Sequence, residues 1–380
     1  MTADRTILVT GGTGTLGREV VRRLVGGPDA PRVVVLARGA ASADLLSYTD
    51  PVLAEWADRD PRADVRVARG DLLAGPSLGL SPHVHAALAS EVTDVLHCAA
   101  ATTFTLPLVE ARAANVAGTE AVLRFAGECR SLRQVGCFST VYVAGRRTGR
   151  IGEDDLDDGR AGFVNSYEQS KHEMERVLRA AMGSLPIAVY RSSTIVGDSR
   201  TGAVRGFNAF HHAVRLLYQG LAPMVPGDDA HCVDLVPVDY VASAAVWLFV
   251  RRFVPGRTYH LCSGADRSAS LGALVDATVD AFYRFRPAWR KRSIEKPAIV
   301  DLGTYELFVR SVEETGNDVL KQATRAIQAF AYQLAYPKVF DTRGTSAALE
   351  GSGVTAPPVL DYYPRVIRHC IETNWGAAAA

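Results

Sequence analysis

The chain is 380 residues long, 48% hydrophobic, and carries 42 basic against 41 acidic side chains, which describes a globular chain of one large or two modest domains and excludes disorder and fibre. A net charge of +1 supplies no overall field for nucleic acid or an anionic membrane. The longest nearly uncharged apolar run, Tyr240 to Val250, stops at Arg251 and falls short of the roughly 20 residues a membrane span needs.

The amino terminus runs straight into a glycine-rich turn without the basic and apolar stretches of a signal peptide, so a cytoplasmic location is expected. Short β-branched runs then alternate with segments of helical period, the pattern of a doubly wound α/β fold with a parallel sheet. Strands are expected at Thr6 to Thr10, Arg32 to Ala37, Val65 to Arg69, Asp94 to His97, Gln134 to Ser139 and Ile187 to Arg191. Helices are expected at Arg18 to Val25, Ala111 to Glu128 and Ser166 to Ala181, as crossovers of right-handed βαβ units.

Residues 1–196 read as a Rossmann domain, rejoined by a returning segment at about 233–264 that holds a helix at Val238 to Phe249 and a strand at Thr258 to Leu261. Residues 197–232 and 265–380 read as a smaller, mainly helical lobe, with helices at Leu271 to Phe285 and Val319 to Leu334. Gly197 to Pro226 reads as a glycine-containing stretch, and the prolines from Pro287 to Pro358 as punctuation. Six scattered cysteines and the isolated His97, His211, His212 and His260 show no ligand spacing, so neither disulfides nor a metal site are expected.

Directly after the first strand stand Thr10, Gly11, Gly12, Thr13, Gly14, Thr15, Leu16 and Gly17. Such a turn lets backbone N–H groups and a positive helix end face a pyrophosphate. Where an NAD enzyme presents an acid to the ribose, this chain has Arg38, which with Arg18 could pair with a 2′-phosphate and favour NADP(H), or could be an exposed arginine of no consequence. Asp71 is either an acceptor for the adenine amino group or a helix cap.

Tyr167 and Lys171 stand four residues apart on one helical face, about 6 Å along the axis. An ammonium beside a phenol favours phenolate and brings it into range for acid or base work. Thr140, at the end of the fifth strand, is expected to point into the crevice and hold the substrate oxygen against Tyr167, whereas Ser139 reads as a strand-terminal hydroxyl that satisfies backbone. Asn115 reads equally as a group relaying protons toward Lys171 and as a buried amide that bends its helix.

In this order the motifs resemble those of extended short-chain dehydrogenases/reductases. Residues 97–104 (HCAAATTF), 115–119 (NVAGT), 167–171 (YEQSK), 233–241 (VDLVPVDYV) and 259–264 (YHLCSG) are similar to the branch of thioester reductases and fatty acyl-CoA reductases, the male-sterility type. The resemblance implies a catalytic set of Thr140, Tyr167 and Lys171, to which Asn115 is added as a candidate, with NADPH as donor. It also implies an acyl thioester on coenzyme A or a carrier protein as substrate, reduced to an aldehyde and on to an alcohol if a second NADPH is used. Leu72, Ala99 and Ser193 complete the expected cofactor-binding set. The chain departs from the branch at Arg191-Ser192-Ser193, where Arg-Pro is common.

With the glycine turn at its start, the chain is expected to have no adenylation or carrier domain before it and to act on a thioester made elsewhere. Val319, Leu320, Ile327, Phe330 and Leu334 form a stripe read as lobe core or as an acyl-binding lid. Arg284, Arg286, Arg290, Lys291 and Arg292 read as a solvated basic face or as a contact for a carrier protein or CoA phosphates, with nucleic acid less suited. Competing functions are a ketone or secondary alcohol oxidoreductase, a nucleotide-sugar epimerase, and a nucleotide-binding regulator without catalysis.

Overall fold

A computed structural model of the chain describes residues 5–26, 30–39, 64–292 and 294–376. Its centre is a seven-stranded parallel sheet: β1 (Thr6–Thr10), β2 (Arg32–Arg38), β3 (Val65–Gly70), β4 (Asp94–His97), β5 (Gln134–Thr140), β6 (Ile187–Ser192) and β7 (Thr258–Leu261). The spatial order is β3-β2-β1-β4-β5-β6-β7. The order reverses at β1, and the crevice at that switch, outside the carboxyl ends of β1 and β4, is where such sheets bind ligands. Ile7 pairs with Val33 on one side and with Asp94 on the other.

The strands are continuous apolar runs because helices cover both faces. One face, with Ile7, Val9, Val33, Val35 and Tyr190, packs against α1 (Thr15–Leu24) and a helix at Val238–Arg251. The other, with Leu8, Val34, Val95, Val135 and Val189, packs against α2 (Pro82–Glu91), the helix Gly118–Glu128 and the helix Ser166–Ala181. Between β4 and β5 the chain forms α3 (Leu108–Arg112), a wide π-turn (Ala113–Ala117) and α4 (Gly118–Glu128). Of the catalytic candidates, Tyr167 and Lys171 lie on α5 (Ser166–Ala181), whose first turn is capped by Asn165 Oδ1 accepting the Glu168 N–H at 2.9 Å.

A second core lies outside the sheet, among α6 (Ala209–Gln219), α8 (Leu271–Phe285), α9 (Leu302–Glu314), α10 (Asp318–Leu334) and α12 (Val359–Glu372), with α7 (Val238–Arg251) returning to the sheet. A short α11 (Arg343–Ala348) stands between α10 and α12. Ile327 and Phe330 are buried in this core and Leu334 packs against it, whereas Val319 is exposed. α6 corrects the glycine-stretch expectation: Asn208 and His211 form a capping box and Gly220, in left-handed geometry, ends it. α12 begins directly after Pro358, one of the prolines expected as punctuation, and carries Pro364 inside. Among the described residues no helix is long and apolar enough to cross a membrane, no metal-binding cluster occurs, and all six cysteines are free.

Candidate active site

The turn after β1 is shaped by two glycines that no other residue could replace without movement. Gly11 has φ +68°, and a Cβ there would lie 2.5 Å from the Ala99 nitrogen. A Cβ on Gly17 would lie 2.1 Å from the Gly11 oxygen, so its absence lets α1 start against the turn. Above this turn opens a cleft of about 420 Å³, walled by Thr10, Gly11, Thr13, Gly14, Leu36, Arg38, Asp71, Leu72, Ala99 and Ala101, among others. Its glycine floor, its place at the switch of strand order and the N-terminus of α1 fit the pyrophosphate and adenosine of a dinucleotide.

Arg38 is exposed at the end of β2 and lines this cleft. Arg18 Nε donates to the Thr13 carbonyl at 2.8 Å, bracing the turn. Asp71 also lines the cleft, and its Oδ1 accepts the Leu73 N–H at 2.9 Å. Thr15, Leu16 and Gly17 open α1 and are not among the cleft walls, and Leu16 packs toward the sheet core. Ser193 is engaged elsewhere: its hydroxyl donates to buried Asp234 at 2.6 Å, and Asp234 also accepts the N–H groups of Ser263 and Gly264. The loops that follow β6 and β7 are thereby joined.

Thr10 begins a buried chain of directed hydrogen bonds. Its Oγ1 accepts the Ala99 N–H at 3.3 Å and lies 2.6 Å from His97 Nδ1; His97 Nε2 lies 3.0 Å from Thr119 Oγ1, which donates to the Asn115 carbonyl. Burial, with the Lys171 charge nearby, holds His97 down to about 3, so the ring is neutral and one nitrogen accepts while the other donates. The end of β1 is thus tied to the π-turn. There Asn115 accepts the Ala101 N–H at 2.8 Å and donates to the Ala101 carbonyl at 3.0 Å and to Ser170 Oγ at 2.9 Å. Its amide links the cleft wall to α5, as a buried helix-interrupting amide would.

The Tyr167 hydroxyl lies beside Thr140, whose side chain lowers it, but burial is the larger influence and pushes the phenol up to about 12. Its ring stacks on Phe104 at 5.4 Å between centroids. Lys171 Nζ donates to the Phe138 carbonyl at 2.8 Å and contacts Met174 Sδ at 3.1 Å, and burial pulls the ammonium down to about 8 against the opposing pull of Glu175. The expected lowering of the phenol by Lys171 is therefore not what the structure contains. What opposes burial at the phenol is Thr140 rather than Lys171, and burial is the larger influence and favours the neutral form.

Behind Lys171 lies a buried pair that sequence spacing alone did not single out. Glu175, four residues on, accepts the Ser139 hydroxyl at 2.5 Å and Arg191 Nη2 at 2.7 Å, with Arg191 and Glu175 side chains 0% and 1% exposed. Arg191 also reaches His260 Nε2 at 3.3 Å. Ser139 thus satisfies a carboxylate rather than backbone, and Arg191, where the sequence departs from Arg-Pro, keeps its arginine as half of this pair. In the basic run, Arg284 lies over the Phe285 ring, while the side chains of Arg290, Lys291 and Arg292 lie outside the described residues.

The family model described as male sterility protein, an NAD-binding family, matches residues 9–245. The chain belongs to that family. It is the extended short-chain dehydrogenase/reductase branch that holds thioester reductases and fatty acyl-CoA reductases, and its members are oxidoreductases that use a nicotinamide cofactor. The chain is 30% identical over 262 residues to a linear gramicidin synthase polypeptide of Brevibacillus parabrevis, a match covering 67% of this chain and 5% of that protein. It is 25% identical over 328 residues to a putative fatty acyl-CoA reductase of Drosophila melanogaster, covering 75% and 60%. The chain therefore spans less than two thirds of either relative. Among solved structures it resembles the terminal R domain from the myxalamid PKS-NRPS biosynthetic pathway, with 27% identity, a TM-score of 0.77, and coverage of 98% of this chain and 91% of that one.

Proposed function

We propose that the protein reduces an acyl thioester, borne by a carrier protein or coenzyme A, to the aldehyde with NADPH. The observation that carries this reading is the buried Tyr167 phenol set beside the Thr140 side chain at the carboxyl end of β5, on a helix that Asn115 ties to the wall of the dinucleotide cleft. Arg38, rather than an acidic residue, ends β2 at the cleft and favours a 2′-phosphate. The R-domain and acyl-CoA reductase relatives support a thioester substrate.

When bound, NADPH supplies the hydride. Thr140 and Tyr167 donate hydrogen bonds to the carbonyl oxygen as charge grows on it, and a neutral phenol then gives up its proton there. Lys171, held by the Phe138 carbonyl and Met174, keeps one N–H that would bond the cofactor ribose. The resulting hemithioacetal loses its thiol: the C–S bond breaks, the hydroxyl proton returns to Tyr167, and the sulfur is protonated. One thioester, one NADPH and one proton thus become one aldehyde, one thiol and one NADP⁺.

Purified protein mixed with NADPH or NADH and a panel of acyl-CoAs, acyl-carrier thioesters, ketones and nucleotide sugars tests this. The expected outcome is thiol released in equal amount to NADPH consumed, with NADH much slower. Oxidation of NADPH by ketones alone, or interconversion of sugars, would overturn the thioester assignment.

A further inference from the structure

One buried carboxylate on the catalytic helix has no part in the chemistry above. Glu168 follows Tyr167 directly and is 1% exposed. A carboxylate so deeply buried persists only where hydrogen bonds replace its water. Its two oxygens are held from opposite sides: Oε2 accepts the Val164 N–H at 2.9 Å, on the segment leading into α5, and Oε1 accepts Gln333 Nε2 at 2.8 Å.

Gln333 comes from α10, 165 residues further along the chain, and is itself 6% exposed. Its other amide atom, Oε1, has no hydrogen-bond partner among the described residues, so Glu168 orients the amide. The neighbouring turns of α10 are fixed in the second core by Ile327 and Phe330. Phe104, stacked on Tyr167, packs against that same core. The second core thus meets the phenol's surroundings at two points, one apolar and one polar.

We infer that Glu168 is a positioning residue: through its bond to Gln333, helix α10 sets the start of α5 and with it the place of the Tyr167 hydroxyl. Movement of residues 164–166 would carry the phenol with it, and an error of about 1 Å at a reacting group costs on the order of a hundredfold in rate. The inference rests on Tyr167 being the proton donor.

Reversing the two side chains tests it. Gln333→Glu sets carboxylate against carboxylate and Glu168→Gln removes the charge, whereas in the double variant Glu168→Gln/Gln333→Glu the amide at position 168 can still accept the Val164 N–H and donate to the carboxylate at position 333, reversing the bond between the two side chains. With an acyl-CoA that the wild type reduces, Gln333→Glu is expected to lower kcat about tenfold or more at unchanged KM for NADPH, and to speed amide exchange over residues 164–171. The double variant is expected to restore both. If Gln333→Glu does not fold, Gln333→Met, of similar length and without a donor, carries the same expectation. Wild-type kcat and exchange in the folded single variant, or a double variant no better than the single one, overturns the inference. A wild type inactive on every thioester would refute the proposed reaction instead, and the exchange measurement would still decide whether α10 holds α5.

Discussion

At Tyr167 and Lys171 burial acts on two groups of opposite charge type and keeps both nearer their neutral forms. For a reductase this suits the phenol, which must hold a proton to give it away. Replacing Tyr167 by Phe is expected to lower kcat by about 10²- to 10⁴-fold while NADPH binding, followed by fluorescence titration, stays within about twofold. Lys171 supplies a pH test. Its ammonium is full below pH 8 and lost above it, so kcat/KM should fall as pH rises through about 8. The unfolded chain keeps that proton up to about 10.5, so between the two values the unfolded state binds more protons and Lys171 makes stability rise with pH. Rate and melting temperature moving in opposite directions over this window would identify the group; a flat rate profile would remove Lys171 from the mechanism.

At the level of elements, α1 and its turn depend on the missing side chain at residue 17. Gly17→Ala places a methyl group 2.1 Å from the Gly11 oxygen, which demands that helix and turn separate. Such overpacking costs about 1–3 kcal/mol. The expected result is a lower melting temperature and NADPH binding weakened at least about tenfold; wild-type affinity would mean that the pyrophosphate is held elsewhere. This turn was legible in the sequence because glycine spacing, strand and helix adjoin. So were Ser166–Ala181, Leu271–Phe285 and Thr258–Leu261, whose bounds agree with the expected ones because the apolar period there is strong. Ala209–Gln219 was hidden in a glycine-containing stretch although Asn208 and Gly220 mark its ends. The π-turn at Ala113–Ala117 leaves no mark in apolar period, and Arg191 and Gln333, the distant partners of Glu175 and Glu168, meet them only through the fold.

Across the whole molecule, the Glu175–Arg191 pair joins α5 to β6, to β5 through Ser139 and to β7 through His260. Glu175→Leu or Arg191→Met strands a buried charge and is expected to cost about 3–5 kcal/mol in denaturant unfolding. The double replacement removes both charges and should cost clearly less than the two single losses together. Strict additivity would mean that the pair is not coupled in the folded state.

The strand order also bears on how the chain is made. β1 acquires β2 as a neighbour early, since Ile7 meets Val33, but its opposite edge waits for Asp94, about 60 residues later. At ribosomal rates of about 5–20 residues per second, that edge stays bare for roughly three to twelve seconds. During this interval the nascent β1–β2 ribbon offers an apolar template to any strand that passes, its own later strands or those of a neighbouring polysome. Recombinant yield should therefore depend on expression rate and temperature more steeply than the finished fold's stability would suggest.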